Sequence, residues 1–197
     1  MISLPRSFFL QPTLKVAHDL LGKHIFRLLD NKLLIGTIVE TEAYCHNDPA
    51  SHSFRGKTER NKIMFHEGGY LYVYFTYGMH FCANIVTGKE GIGEAVLIRA
   101  VEPIAGIEVM MKNRFPKQKG IDRRSFINLT NGPAKFCQAF GIARNENGLD
   151  LLDSEIRITE GDVVPSHHIK HSSRIGIQHG KEKLWRFFIA GNPWVSR

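Results

Sequence analysis

The side chains with the clearest chemical potential lie in one short stretch of the chain. Residues 38–56 read IVETEAYCHNDPASHSFRG, in which Glu40, Glu42 and Tyr44 alternate before a loop that contains His52. Alternate residues of a strand point to one face, so the two carboxylates and the ring are expected together, with Cα atoms of the glutamates roughly 6.5–7 Å apart. Carboxylates at about this separation serve in hydrolysis at an anomeric carbon, and a half-buried glutamate near a second acid suits a general base. The alternative is a solvated strand face.

An aromatic segment follows about thirty residues later. Residues 71–85 read LYVYFTYGMHFCANI, which places Tyr72 and Tyr74 on one face of a strand and Tyr77 in the turn before Gly78. Bases stack on tyrosine with about 1–3 kcal/mol each. The tyrosine face is therefore either a binding platform or half-buried packing. An exposed aromatic at a loop tip is suited to filling a gap in a duplex.

Metal and cofactor motifs are weak in this chain. His46, Asp48 and His52 could be interpreted as ligands, but their spacing matches neither the HExxH motif nor the zinc deaminase motif. The glycine-rich segment GIGEA precedes a predicted strand rather than a helix, which excludes a dinucleotide-binding fingerprint. We expect no metal and no cofactor.

The charge balance favours a polyanionic partner. The net charge is +7, and basic residues cluster at residues 55–62 and again at Lys112, Arg114, Lys117, Lys119, Arg123 and Arg124. A basic surface of this kind gains affinity for nucleic acid through counterion release. Solvated loops and membrane-surface binding are the alternatives. The first cluster directly follows the His52 loop, which makes it the stronger indication of nucleic-acid binding.

Bulk composition predicts one domain, since 197 residues with 43% hydrophobic content suffice for one core. No apolar run has the length of a membrane span, and the N-terminal residues lack a signal-peptide layout. Three cysteines without CxxC spacing favour a reducing compartment, with the cytoplasm as the default.

The elements that position these residues are mostly strands. A first helix is predicted at residues 9–22, ending at Gly22, and a second opens at Pro103 and reaches about Asn113. Pro133 opens a short third helix. Strand pairs are predicted at 23–29 with 33–44 and at 70–76 with 80–86, with further strands at 95–101, 155–159, 174–178 and 185–190. Because strands outnumber helices and pair locally, the class is α+β with a mostly antiparallel, curved sheet and flanking helices.

Several ordered motifs together resemble one known family over nearly the whole chain. IVETEAY, RNKIMF, LYVYFTYGMHFCANI, VLIRAVEP, GPAKFCQAFGI, RIGI and GNPWVSR are similar to the alkyladenine (3-methyladenine) DNA glycosylases, in the compact bacterial form. The resemblance implies a monomer without an obligate protein partner that acts in base excision repair on double-stranded DNA containing damaged bases. Its substrates would be 3-methyladenine and 7-methylguanine, with hypoxanthine and ethenoadenine as further candidates.

The resemblance also implies site residues. Glu42 would activate the water that attacks C1′ of a flipped nucleotide, with Arg99 and the main-chain carbonyl of Ile175 as further water contacts. The other implied contacts are with the base, through Tyr44, Tyr74, His52 and Asn84, and with the DNA, through Tyr77, Met64, Arg60 and Lys135. Asn84 would exclude the 2-amino group of normal guanine, and Tyr77 would replace the flipped nucleotide.

Extrusion of a base costs a few kcal/mol, and less for a damaged one. Alkylation at N3 or N7 makes a purine cationic, so the base is already a good leaving group and stacks well between electron-rich rings. No lysine adjoins Glu42 and the resemblance supplies no amine nucleophile, which together predict a monofunctional hydrolase without Schiff-base chemistry. The chain departs from its mammalian relatives at His80, where they have a tyrosine, and at Ser51, where alanine is usual. Both changes bear on which damaged bases the protein accepts. Two other functions remain open at this point: a non-catalytic structure-specific nucleic-acid binder, and a sugar-directed hydrolase that uses Glu40 and Glu42 as its acid pair.

Overall fold

One antiparallel sheet contains every strand that is described in the computed structural model, which covers residues 2–118, 120 and 122–196. Lys119 of the basic cluster lies outside these residues. Six strands form a path in the order β3-β4-β5-β2-β1-β6, while β8 pairs with both β2 and β7. The strands are β1 (His24–Leu29), β2 (Lys32–Tyr44), β3 (Leu71–Thr76), β4 (His80–Val86), β5 (Ala95–Ala105), β6 (Ile156–Thr159), β7 (Ile169–Ser172) and β8 (Arg186–Ile189).

Short helices cover the sheet, and the predicted α+β class is confirmed. The helices are α1 (Arg6–Phe9), α2 (Thr13–Asp19), α3 (Ile107–Arg114), α4 (Arg123–Ile127) and α5 (Pro133–Phe140). The main core joins α2 and α5 to strands β1 to β6, with Phe9, Phe136 and Phe140 among its largest fully buried side chains. Within the described residues, no helix has the length and apolar character needed to cross a membrane.

The two predicted hairpins are confirmed. Strands β1 and β2 join through Asp30 and Asn31, whose φ values of 48° and 59° are those that a tight two-residue hairpin turn requires. Strands β3 and β4 join through a turn in which Tyr77 has φ 51° and Gly78 has φ 68°. In both hairpins the paired strands are consecutive in the chain.

Strand β2 contains a bulge at Val39. Ile38 and Glu40 pair with adjacent residues of β5, so one residue of β2 is extra. The extra residue reverses the alternation, because Ile38 and Ala43 both lie in the main core although they are an odd number of positions apart. Glu40 and Glu42 consequently point away from the core, whereas regular alternation from Ile38 would turn them into it.

A second bulge lies on the partner strand β5 at Arg99. Glu40 and Thr41 are adjacent on β2, yet they pair with Ala100 and Ile98, so Arg99 is the extra residue. Bulges beside active sites commonly re-aim a side chain. Here the two bulges are consecutive along the paired strands, and Arg99 contacts both glutamates on their face of the sheet.

Three of the predicted elements are wrong in extent or type. The helix predicted at 9–22 is reduced to α2 (Thr13–Asp19), and a separate helix, α1 (Arg6–Phe9), ends where the prediction began, because Pro12 disfavours helical backbone at the residue before it. Pro103 lies in β5 rather than at a helix start. It is tolerated there because β4 pairs only with the first residues of β5 and leaves one side of Pro103 unpaired. The helix begins after Gly106, which has φ 76°.

Residues 174–178 are not a strand. The segment bends, and its polar groups bond to side chains and carbonyls of β2 and the following loop instead of to a neighbouring strand. Strand β8 pairs instead with β7, an element that the sequence did not predict.

Candidate active site

A cavity of about 450 Å³ opens on the sheet face that carries the glutamates. That volume is within the range of small-molecule sites. Strands β2, β3, β4 and β5, the His52 loop and the segment from Ile175 to His179 contribute to its wall. Eight of the eleven residues predicted for the site line it: Tyr44, His52, Met64, Tyr74, Tyr77, Asn84, Arg99 and Ile175.

Glu42 lies directly behind this wall. Its Oε2 accepts a hydrogen bond from the Tyr44 hydroxyl at 2.9 Å, and its Oε1 accepts one from the Ile175 amide at 2.7 Å. Arg99 Nη1 is 3.2 Å from Oε1. All three partners line the cavity, but they cover Glu42 completely, leaving it 0% exposed. The predicted contact of Ile175 was through its carbonyl, whereas here its amide bonds to the carboxylate.

The surroundings of Glu42 favour a base of intermediate strength. Burial raises the pKa of its carboxyl above the ordinary value. The Arg99 charge and the donors from Ile175 and Tyr44 act in the opposite direction, and the neighbouring Glu40 makes a small further raising contribution. A carboxylate with a raised pKa can take up a proton more readily than an exposed one.

The Glu40 carboxylate takes part in a buried hydrogen-bond network. Its Oε1 accepts from Arg99 Nε at 2.9 Å, from Arg186 Nε at 2.6 Å and from Ser196 Oγ at 2.8 Å. Its Oε2 accepts from the Ser196 amide at 2.6 Å, and the side chain is 0% exposed. Glu40 therefore holds Arg99 in place and has no free face for a substrate.

An aromatic wall stands on the β3 side of the cavity. Tyr72 and Tyr74 stack with ring centroids 5.7 Å apart, and His52 packs edge-on against Tyr74 at 4.5 Å. His52 Nδ1 lies 3.0 Å from the Tyr72 hydroxyl. Burial and then the Arg60 charge lower the pKa of His52, so its ring is neutral at pH 7. His52 and Tyr74 together form one wall, and Tyr44 lines the cavity as well.

Asn84 and Met64 complete the lining. Asn84 lies on β4, is 5% exposed, and its Nδ2 is 3.4 Å from the Tyr72 carbonyl. Met64 is 2% exposed and packs with Tyr72 in a small second core. Its side chain supports the cavity wall from inside, and its predicted place near the DNA backbone or the distorted stack stays a prediction.

Tyr77 stands at the tip of the β3–β4 hairpin. It is 83% exposed, and Met79 beside it is 70% exposed. An exposed aromatic and an exposed methionine at the rim of a cavity form an apolar projection that is typical of a binding surface. His80 starts β4 and is also exposed, whereas Ser51 is buried and bonds to Ser53 inside the loop.

The two remaining predicted residues lie outside the cavity. Arg60 is exposed, with Nη2 3.4 Å from the Phe75 carbonyl near the hairpin. Lys135 donates to the Oδ1 atoms of Asn128 and Asn131 at 3.0 and 2.7 Å. A second cleft is lined by residues of α4, Lys135 of α5 and the C-terminal segment, and its basic lining is Arg123, Arg124 and Lys135.

The residues of the weak metal motif have separate partners. His46 pairs with Glu94 at 2.6 Å, Asp48 binds Arg174, and His52 joins the aromatic wall. Among the described residues there is no group of three or more histidine, cysteine, aspartate or glutamate side chains placed to hold a metal ion. The sequence alternative of a metal site at this loop therefore does not match the geometry.

Sequence analysis assigned no site role to Arg174, and it offered Asp48 only as a metal ligand. Arg174 binds Asp48 through both guanidinium ends and lies 4.7 Å from the Tyr44 ring centroid. The two residues are 126 positions apart, so no local spacing could reveal the pair. The only sequence signal was the position of Arg174 immediately before Ile175.

A cavity with aromatic walls beside a buried acid has the features of an enzyme site for a planar ligand. The family model for methylpurine-DNA glycosylase matches residues 7–193. A protein of Carboxydothermus hydrogenoformans named "Putative 3-methyladenine DNA glycosylase" is 47% identical over 195 residues, covering 98% of each chain. Proteins with the same name from Francisella tularensis and Alkaliphilus oremlandii are 47% and 45% identical, covering 94% and 100% of each chain.

The chain belongs to the methylpurine-DNA glycosylase family. It is a hydrolase of N-glycosyl bonds that acts on DNA in base excision repair. The predicted recognition of the family is thereby confirmed.

Proposed function

We propose that this protein extrudes alkylated purines from duplex DNA into the 450 Å³ cavity and hydrolyses their glycosidic bond with a water activated by Glu42. The main support is one arrangement. The three groups that bond to the Glu42 carboxylate, on Tyr44, Arg99 and Ile175, all belong to residues that line the cavity. A base held in the cavity would therefore present its sugar close to the acid.

The aromatic lining suits a flat, electron-poor ligand. Tyr44 on one side and Tyr74 with His52 on the other would enclose the extruded purine. A cationic alkylated base gains both stacking and cation–π attraction on such rings. The neutral His52 adds no repulsive charge to a cationic base. We propose 3-methyladenine and 7-methylguanine as substrates, and Asn84, buried in the cavity wall, as the group that excludes the 2-amino group of normal guanine.

The reaction needs one proton acceptor. Water oxygen bonds to C1′ while the bond from C1′ to the purine nitrogen breaks, and the bonding pair leaves with the base. Glu42 takes the proton of the water, and a cationic purine departs neutral without further protonation. Stabilisation of positive charge at the sugar is a second use of the same carboxylate. No amine joins the scheme, so the product is an abasic site and no Schiff base forms.

Access to Glu42 requires a small movement. Oε1 already accepts from Ile175 and Arg99, while Oε2 accepts only from Tyr44, so one acceptor position remains on Oε2. We propose that the nucleophilic water binds there when the entering base shifts the lining residues slightly, while the Tyr44 hydroxyl keeps its bond to Oε2. The Ile175 carbonyl, on the neighbouring loop, remains its proposed second contact.

The surface around the cavity suits duplex DNA. Tyr77 at the hairpin tip would fill the space left by the flipped nucleotide, and Arg60 and Lys135 would flank it. The cleft with Arg123 and Arg124 also contains Asn131 and Lys135, which flank Pro133 of the cavity lining in sequence, and its basic lining suits the phosphates beside the lesion. We further propose that the protein works as a monomer in the cytoplasm, without a cofactor.

The two alternatives from the sequence have less support. A sugar hydrolase would need Glu40 as an acid, but Glu40 is bound by Arg99, Arg186 and Ser196. A non-catalytic binder would not require an acid behind the cavity and is incompatible with the family activity.

The decisive experiment uses Glu42→Gln. Bases released from an alkylated plasmid are separated by chromatography, and binding to a lesion duplex is measured in parallel. We expect release of 3-methyladenine and 7-methylguanine to fall by orders of magnitude while binding persists. Unchanged release would refute Glu42 as the base, and loss of binding would make Glu42 a structural residue. Glu160→Gln, at an exposed surface pair with Lys23, serves as the matched control.

A further inference from the structure

One buried arginine connects three separate parts of the site. Arg174 donates through Nη1 to the Ala43 carbonyl on β2 at 2.9 Å. It binds both carboxylate oxygens of Asp48, with Nη2 3.0 Å from Oδ1. Asp48 belongs to the loop that carries His52, and Arg174 itself belongs to the segment that carries Ile175. The strand end, the His52 loop and the Ile175 segment therefore meet at a single guanidinium.

The same guanidinium supports the ring that covers Glu42. It lies 4.7 Å from the centroid of Tyr44 and 5.2 Å from that of Trp185, so it is held between two aromatic residues. Arg174 is 4% exposed, and its side chain and that of Asp48 have no exposed surface in their ion pair. Tyr44 faces the cavity, whereas Arg174 is absent from the cavity lining. Arg174 thus acts from behind the wall.

Two short paths lead from Arg174 to the Glu42 carboxylate. The residue after Arg174 is Ile175, whose amide donates to Oε1 at 2.7 Å. The ring that Arg174 supports belongs to Tyr44, whose hydroxyl donates to Oε2 at 2.9 Å. Arg174 therefore fixes one donor on each oxygen of the acid without touching the acid.

We infer that Arg174, clamped by Asp48, is a positioning residue for catalysis that sets the orientation of both Glu42 donors. The inference rests on the proposed role of Glu42. Only an arginine can make all the contacts of Arg174. Its planar, forked guanidinium binds both oxygens of the Asp48 carboxylate, donates to the Ala43 carbonyl and stacks on the Tyr44 ring at the same time. A lysine at the same position keeps the charge but loses the fork.

The pH dependence of the reaction gives a specific signature. Glu42 must be deprotonated to act as a base, so the rate falls on the acidic side of its pKa. The hydrogen bonds that Ile175 and Tyr44 donate lower the pKa of Glu42. Their loss therefore raises that pKa and moves the acidic limb of the pH–rate profile to higher pH. The charged and titratable groups around Glu42 are Glu40 and Tyr44 on β2, Cys82 on β4, Arg99 on β5, Arg186 on β8 beyond Glu40, and Arg174.

The test compares Arg174→Lys and Arg174→Gln with the wild-type chain. Single-turnover release of 7-methylguanine, a cationic base that leaves without protonation, is followed across the acidic pH range. We expect the rate on the pH-independent plateau to fall roughly ten- to a hundredfold, because the two donors to Glu42 are no longer held in place. We also expect the acidic limb to move up by about one pH unit, the size of one hydrogen bond to a charged group. Lesion-duplex binding changes much less than the rate.

A matched control separates positioning from stability. Arg27→Gln breaks another buried ion pair, between Arg27 on β1 and Glu146, at 2.8 Å and away from the cavity lining. It is expected to lower the unfolding temperature while leaving the acidic limb in place. The double variant Asp48→Asn with Arg174→Gln removes both charges of the clamp, which avoids an unpaired buried charge and should reproduce the kinetic change of Arg174→Gln.

Three results would overturn the inference. An acidic limb that stays in place in the Arg174 variants, or one that moves equally in Arg27→Gln, makes Arg174 a structural residue only. Failure of all the Arg174 variants to fold makes the clamp a requirement for folding rather than for site geometry. A failure of the proposed function is distinct, because Glu42→Gln would then release bases at the wild-type rate.

Discussion

Replacement of Glu40 by glutamine should weaken the fold and shift the pH dependence of the reaction together. The glutamine side chain has the size of glutamate and can keep one acceptor oxygen for Arg99, Arg186 and Ser196. Its amide nitrogen, however, would face the Ser196 backbone N–H, which now donates to Oε2 at 2.6 Å. Arg186 would be left without a carboxylate, since its other bonds go to Ser172 and to the Ser196 carbonyl.

The size of the effect on stability follows from burial. Glu40 is 0% exposed and Arg186 is 9% exposed, so the unpaired cation stays out of water. Breaking a buried ion pair by removing one partner costs about 3–5 kcal/mol. For a chain of this size each kcal/mol corresponds to about 2–4 °C. We therefore expect the unfolding temperature to fall by roughly 10 °C.

The effect on Glu42 has a definite sign. Cα atoms two residues apart on a strand are about 7 Å apart, and two like charges at that separation repel by about 2 kcal/mol at an effective dielectric constant of about 20. Arg99, which contacts both carboxylates, offsets part of this repulsion. Removal of the Glu40 charge takes away that repulsion and leaves Arg99 more fully to Glu42. Both changes lower the pKa of Glu42. The acidic limb of the pH–rate profile should move to lower pH, by less than about one unit.

Thermal unfolding and single-turnover release of 7-methylguanine, measured on the same preparations, test both parts. Glu160→Gln is the control, since Glu160 is exposed and its pair with Lys23 should contribute at most about 1 kcal/mol. An unfolding temperature equal to the wild-type value would refute the role of Glu40 as the counter-charge of the two arginines. A pH–rate profile that does not move would refute its electrostatic influence on Glu42.

Three further outcomes are expected. Tyr77→Ala should leave thermal stability unchanged, because the ring is 83% exposed, and should weaken binding to a lesion duplex by about 1–3 kcal/mol in a titration; a wild-type affinity would argue against insertion. Tyr44→Phe keeps the ring but removes a donor to Glu42, so the acidic limb of the rate should move to higher pH, and a downward shift would contradict the assigned hydrogen bond. Joint replacement of Arg123 and Arg124 by glutamine should reduce the slope of log affinity against log salt by about two, whereas an unchanged slope would remove the cleft from the DNA interface.

Local patterns predicted the hairpins and the aromatic wall well. Tyr72 and Tyr74 were expected on one face of β3 and are stacked there, and Tyr77 was expected at an exposed turn. These features depend on alternation and on turn residues, which act over a few positions. Glu42 and Tyr44 were likewise expected together, and they share a hydrogen bond.

Features that depend on distant partners were not predictable in the same way. The segment after Ser173 alternates like a strand, but the bond of the Ile175 amide to Glu42 and the ion pair of Arg174 with Asp48 outweigh strand pairing. Pro103 was predicted to start a helix because proline rarely fits inside a strand. It fits in β5 because β4 ends before it reaches Pro103, and the sequence does not reveal where β4 ends. In each case the deciding contact joins residues far apart in the chain.

The bulge at Val39 makes chain length itself a determinant of activity. Val39 packs with Ala100 and Trp194, and apolar replacements of similar size should be tolerated there. Deletion of this one position would be different in kind, because every later residue of β2 would exchange sides. The side chains of Glu40 and Glu42 would then enter the apolar core, and Thr41 and Ala43 would face the cavity, so a change that removes no catalytic group would abolish both catalysis and folding.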